Sequence, residues 1–209
     1  LENLLNKNYK SYLEQKEFTE NASHEMQTPL AIFQSQLEVL MQTAPLTEEQ
    51  ANLIHSLETS NQRMVRLNRS LLLLTKIENE EYQPTESVNI TDLVKKILRS
   101  HQPYIQEKRL AVTEIYENDI LFPANKSLIE ILISNLISNA VKHNIPGGAL
   151  QIQTTGALLS IKNTGNGQSL EPEKIYRRFY KKSGETEGTG LGLAIVHRIC
   201  DISRFSIRY

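Results

Sequence analysis

Apolar positions follow one helical period through the first third of the chain, and helical and alternating patterns take turns after it. Leu30, Phe33, Leu37 and Leu40 stand at steps of three, four and three, and few breakers interrupt residues 1–43, which predicts one long helix. Ala44, Pro45, Leu46 and Thr47 predict a turn, with Thr47 as N-cap and Glu48 and Glu49 in the first turn of a second helix. Along that helix Leu53, Leu57, Ser60, Met64, Leu67, Leu71 and Leu74 alternate steps of four and three, a heptad seam interrupted once by a small polar residue. A single hairpin of two such helices leaves the seam wet. The pattern therefore predicts two hairpins packed as a four-helix bundle, and hence a homodimer.

The polar stretch 78–87 contains Pro84 and predicts a linker at 84–87, between a hairpin unit at 1–83 and a second domain at 88–209. In that domain the pattern predicts a helix over 89–106, a strand over 110–116 and a short strand around Ile120, Leu121 and Phe122. Asn125 is placed to cap a helix over 126–142, and strands at 149–154 and 157–162 flank a turn at Thr155 and Gly156. A last helix runs from near Leu191 to about Ile202, and Phe205 to Tyr209 reads as the start of a further strand. Helices and strands in this mixture predict a layered α+β domain.

A chain of 209 residues suits one or two domains, and 39% hydrophobic with 22% charged residues is ordinary globular composition. No run approaches the roughly 18 apolar residues that a membrane span requires. The net charge of -1 weighs against a general electrostatic grip on nucleic acid. The single cysteine, Cys200, has apolar neighbours Ile199 and Ile202 and reads as a buried structural thiol. His55, His101 and His197 have no carboxylate beside them and no metal-ligand spacing, and read as structural.

Three stretches carry chemistry. On a helix His24 and Thr28 share a face and Glu25 lies at its edge, which sets a nucleophile, a base and a hydroxyl together. Glu25 would take a proton from one imidazole nitrogen and leave the other lone pair free to attack, while Pro29, lacking an N–H, bends the helix just after the histidine. Next, Asn135, Asn139 and Lys142 stand at i, i+4 and i+7, one polar stripe on an otherwise apolar helix. Its amide oxygens suit Mg²⁺, which keeps waters and substrate phosphates as further ligands, and Lys142 would face phosphate charge. Last, Asn163 to Gly167 and Gly188 to Leu193 are glycine-rich and bracket Lys181, while the helix start near Leu191 offers free N–H groups to phosphate. This glycine spacing fits neither the Walker nor the dinucleotide fingerprint.

Ser23 to Leu30 resembles the phosphoacceptor box of bacterial sensor histidine kinases, with Gln27 where that family usually carries a basic residue. Residues 135–144, 163–167, 175–180 and 188–193 resemble its N, G1, F and G2 boxes, in the family's order and spacing. The resemblance implies a helical hairpin forming a dimeric four-helix bundle, followed by a two-layer α+β ATP-binding domain of the Bergerat (GHKL) type. It implies that His24 takes the γ-phosphoryl group of Mg·ATP, oriented by Glu25, and passes it to an aspartate on a separate response-regulator receiver domain. The pair Glu25 and Thr28 also matches the family's phosphatase motif. Asn139 is implied to hold Mg²⁺, and Asn135 and Lys142 to contact phosphate. His143 falls where an aromatic ring often lies near the nucleotide. Gly165, Gly167, Gly188, Thr189, Gly190, Leu191 and Gly192 are implied to shape the pocket and its lid, with Lys181 meeting the triphosphate.

Two departures stand out. Asn163 replaces the aspartate that accepts from the adenine amino group, which weakens that bond by about 1 kcal/mol without abolishing it. The loop 181–187 is short for the family's lid, which points to low autokinase activity. A weak relative acting as scaffold or phosphatase, and an ATPase of the same fold, are the competing readings. The resemblance also implies a sensor and a membrane segment upstream, which would make the chain a cytoplasmic part of an inner-membrane protein.

Overall fold

The computed structural model describes residues 2–43, 45–79, 86–165, 171, 174–181 and 188–209. The chain divides into two compact units, residues 1–80 with 184–191, and residues 81–183 with 192–209.

The first unit is an antiparallel hairpin of α1 (Glu2–Thr43) and α2 (Glu48–Asn79). α1 continues across Pro29 without a break. The turn closes as a mutual cap: Gln50 N–H donates to Thr47 Oγ1 at 3.2 Å, and Thr47 N–H donates to the Gln50 side chain at 3.0 Å. The contact seam inside the hairpin lies one residue away from the leucine heptads. Ile54, Asn61, Asn68 and Leu72 are buried on α2 and Leu37 on α1, whereas Leu53 and Met64 are 60% and 51% exposed. The physical reason is that α2 carries two heptad seams one residue apart, and a single partner helix covers only one of them. The leucine seam is left outward over its first half.

The covered seam includes a polar cross-tie. Asn61 is 1% exposed, and its Nδ2 donates to the carbonyl of Leu30, next after Pro29, at 3.2 Å. Its Oδ1 has no partner among the described residues.

The second unit starts with β1 (Glu86–Asn89), followed by α3 (Ile90–Ser100), α4 (Gln102–Glu107), β2 (Ala111–Tyr116), β3 (Leu121–Ala124) and α5 (Lys126–Lys142). After it come β4 (Ala149–Thr155), β5 (Leu158–Asn163) and α6 (Gly192–Ser203). Glu86 and Ser87, assigned to the linker by composition, pair with Ala124 and Pro123 in a two-stranded antiparallel ladder. The helix expected over 89–106 is two helices. Pro103, lacking an N–H, sits in the first turn of α4 and marks a new start after His101. Asn89 Oδ1 caps α3 through Asp92 N–H, and Asn125 Oδ1 caps α5 through Leu128 N–H.

β4 lies at the centre of a three-stranded sheet, parallel to β2 (Val112 opposite Leu150) and antiparallel to β5 (Ile152 opposite Ile161). The parallel pair requires a crossover, and α5 lies within that crossover. Leu150, Ile152 and Thr154 alternate inward along β4 and are buried. α3 brings Leu93, Val94, Ile97 and Leu98 to the core, and α5 brings Ile129, Leu132, Ile133 and Ile137, making a helical layer on a sheet.

Phe205 to Tyr209 forms no strand. α6 instead ends in a Schellman turn: Phe205 N–H reaches back to the carbonyl of Cys200 at 2.8 Å and Arg204 takes a φ of 57°. Phe205 then sets its ring edge-on to Phe122, centroids 4.9 Å apart.

Cys200 is buried as expected, and burial, aided by the charge of Asp201, pushes its thiol up to about 11. The folded chain therefore holds this proton more tightly than the unfolded one, whose thiol titrates near ~8.5. The stabilisation is complete below that value and is lost as pH rises toward 11. Urea melts are expected to show stability falling by on the order of 2 kcal/mol between pH 8 and 10.5, with Cys200→Val flattening the slope. An unchanged slope in that variant would assign the loss to other groups.

Candidate functional site

α5 is the element on which most candidate residues depend. Leu128, Ile129, Leu132, Ile133, Ile137, Ala140 and Val141 are buried, which fixes the rotation of the helix about its own axis. Asn135, Asn139 and Lys142 then fall together on one half-exposed stripe. Asn135 Nδ2 is committed to the carbonyl of Ile131 at 2.9 Å. Its oxygen faces the start of α6, where a Cβ built on Gly192 would stand 3.0 Å from Oδ1. A side chain there would have to displace the amide. The stripe of α5 and the first residue of α6 are thus brought together. The carboxamide of Asn139 makes no hydrogen bond to a described residue, which leaves a hard oxygen donor of the kind Mg²⁺ takes.

Beyond α5, His143 closes the helix with its N–H on the carbonyls of Asn139 and Val141. Asn163, at the exposed end of β5, donates from Nδ2 to the His143 carbonyl across 3.5 Å, a long and weak bond that leaves its Oδ1 uncommitted. The connection between α5 and β4 is tied to the same strand end. Ile145 N–H donates to the Thr164 carbonyl at 3.3 Å, Thr164 N–H to the Ala149 carbonyl at 3.0 Å, and Ala149 N–H to Thr164 Oγ1 at 2.9 Å. Gly148 is required there by close approach: a Cβ would lie 2.3 Å from Asn144 Oδ1 and 2.9 Å from the Ile145 carbonyl. Asn144 is buried and its Nδ2 donates to Ala149 O at 2.9 Å.

The other candidates divide. Gly188 and Gly190 take φ of 82° and 72°, the left-handed region that the glycine pattern anticipates. Thr189 Oγ1 accepts from Leu191 N–H at 3.3 Å, directly ahead of α6. Gly165 is exposed with open space around it. Lys181, the first residue of the short loop, has its ammonium enclosed and without a partner among the described residues. Gly167 and residues 182–187 of the short loop lie outside the described residues. His24 is on α1, with its side chain also outside them, while Glu25 and Thr28 are exposed on the same helix.

One sequence reading is corrected. His197 Nδ1 lies 3.2 Å from Asp201 Oδ2, and His55 Nδ1 lies 3.9 Å from Glu58 Oε2. Adjacency along the chain missed these carboxylates because helical neighbours stand three and four residues apart. Tyr176 packs its ring against His197, centroids 5.0 Å apart, and burial raises its hydroxyl above the usual range.

Comparison with known proteins decides the family. Residues 14–80 match the His Kinase A (phospho-acceptor) domain, and residues 124–209 match the histidine kinase-, DNA gyrase B- and HSP90-like ATPase. The chain belongs to the sensor histidine kinases. Its sequence is 32% identical over 198 residues to the heme sensor protein HssS of Staphylococcus aureus, a match covering 92% of this chain and 43% of that protein. The chain thus spans less than half the length of the curated relatives it matches. Two solved structures share its fold: full-length ShkA in complex with AMPPNP, at a TM-score of 0.69 and 24% identity, covering 89% of this chain and 41% of that one, and the histidine kinase AdeS of Acinetobacter baumannii, at 0.56 and 22%, covering 86% of each. The kinase core joins an acceptor hairpin containing His24 to an ATPase-type α+β domain.

Proposed function

We propose that this kinase core phosphorylates His24 with Mg·ATP and passes the phosphoryl group to an aspartate on a response-regulator receiver domain. The observation that carries the reading is the polar stripe of α5 beside the start of α6, in a chain that also presents a histidine on an acceptor helix. Asn139 would hold Mg²⁺, whose chemistry is to neutralise charge on the transferring phosphates. Asn135 and Lys142 would lie along the phosphates, with Gly192 and Lys181 beside them. The uncommitted oxygen of Asn163 reads the adenine amino group, His143 flanks the ring, and Gly165 and Gly167 allow the backbone close to it. In the transfer a lone pair of the His24 imidazole forms the N–P bond and the bond from the γ-phosphorus to the bridging oxygen breaks. ADP leaves with that electron pair, and Glu25 takes the proton from the other ring nitrogen.

The outward seam supports a second copy of the chain as partner. Leu53, Leu57 and Met64 on α2, with Phe33 and Leu40 on α1, are exposed at heptad-related positions, which suits a four-helix bundle of two hairpins. The reverse activity, removal of phosphate from the receiver, rests on Glu25 and Thr28, with Thr28 orienting the attacking water. The weak adenine contact through Asn163 favours a balance shifted toward it. We place the chain as the cytoplasmic signalling part of a longer inner-membrane sensor. The sensor name of its relatives and the fraction of them it spans support that placement, and no described helix is long and apolar enough to cross a membrane.

Incubation with γ-labelled ATP and Mg²⁺ is expected to give an acid-labile, base-stable label on a dimeric protein, absent in His24→Ala. Unlabelled protein that also fails to dephosphorylate any receiver would refute the reading. Asn163→Asp is expected to tighten adenine-nucleotide binding by roughly fivefold, since a charged acceptor adds about 1 kcal/mol. Unchanged affinity would remove Asn163 from adenine reading.

A further inference from the structure

The backbone around α5 is held by a residue that no motif marks. Lys108 Nζ donates to three carbonyls at the end of that helix, those of Val141, Lys142 and Asn144, at 3.1, 2.5 and 3.3 Å. An ammonium has three N–H donors, so each is used. The positive charge also sits at the negative end of the helix dipole. In return the Lys108 carbonyl accepts from Gly147 N–H at 2.8 Å, and Ala111 N–H donates to the Gly148 carbonyl at 2.9 Å. Lysine and loop hold each other from both sides.

Two features set this apart from ordinary helix capping. α5 is already closed by His143 N–H, so Lys108 is not needed to end it. What the ammonium adds is direction, because it fixes where the carbonyls of 142 and 144 point, and with them the peptides that bear Lys142, His143 and Asn144. The base of Lys108 is itself locked by a Schellman turn, with Leu110 N–H on the carbonyl of Ile105 and Arg109 N–H on that of Gln106, both at 3.0 Å. That turn places Arg109 at a φ of 54°, a conformation L side chains rarely adopt.

The geometry points to Lys108 as a positioning residue for nucleotide binding, setting the C-terminal end of α5, which carries Asn139, Lys142 and His143, in register with Asn163 across the α5–β4 loop. The link to Asn163 runs through the His143 carbonyl and through the Thr164 bonds to Ile145 and Ala149. The inference rests on reading this unit as a nucleotide pocket.

The test compares parent, Lys108→Met and Lys108→Arg as full chains, using trinitrophenyl-ATP as probe, circular dichroism for folding, and autophosphorylation kinetics. Lys108→Met is expected to fold, to bind the probe roughly tenfold more weakly, and to raise KM for ATP while kcat stays within about twofold. Lys108→Arg, which keeps charge and donors, is expected to recover most of that loss. A variant that melts lower but binds the probe as the parent does, once folded, would make Lys108 merely structural and overturn the inference. Should Lys108→Met fail to fold, Lys108→Gln, which keeps a donor at a shorter reach, is judged by the same readouts. A parent that does not bind the probe removes the pocket itself and the inference with it. The parent arm therefore separates failure of the underlying reading from failure of the role given to Lys108.

Discussion

The arrangement of this molecule depends on the rotational setting of one helix. α5 is apolar around most of its girth, and the burial of Ile129, Ile133 and Ile137 against the layers of its unit leaves one orientation in which its carboxamides avoid dry surroundings. That orientation brings Asn135 to the start of α6 and leaves Asn139 with an uncommitted oxygen. Hydrophobic burial thus does the positioning, and the polar stripe is the consequence. A helix of similar composition with its amides scattered around the circumference would satisfy the core less well and present no common face.

The hairpin shows a related division of labour. Adjacent heptad seams on α2 give it two apolar faces, and α1 covers the one that includes Ile54 and Asn61. The Asn61 bond to the Leu30 carbonyl gives this pair a fixed register close to Pro29, at the cost of an amide oxygen with no partner among the described residues. A purely aliphatic seam would slide more readily from one turn to the next. The outward leucines then stay uncovered by α1, so the internal register and the outer surface are set by one helix.

Much of this was legible in the sequence. The bounds of α5, its Asn125 cap and the β4–β5 hairpin followed from periodicity and turn chemistry, because local pattern and tertiary packing agree there. The leucine heptads were readable as a surface that one hairpin leaves wet, whereas the seam that α1 covers, with Asn61 and Asn68 in it, carries no comparable signature. The single helix over 89–106 missed the restart at Pro103, and the strand expected at Phe205 gave way to a Schellman turn that a non-glycine residue, Arg204, rarely signals. Glu86 and Ser87 looked like linker since polar edge-strand residues carry no period of their own. At the site, the stripe and glycines were readable as motifs. Lys108 was not, because its three acceptors are 33, 34 and 36 residues away and are backbone carbonyls, which have no sequence signature.

The central claim is that the buried setting of α5 leaves Asn139 to join a magnesium-bound nucleotide. Calorimetric titration of ATP into the chain, with and without Mg²⁺, tests it directly when repeated on Asn139→Ala. The account predicts saturable binding that Mg²⁺ strengthens, with roughly tenfold of that gain lost in the variant while it stays folded. Binding indifferent to Mg²⁺, or a variant with the parent's full response to it, would contradict the account.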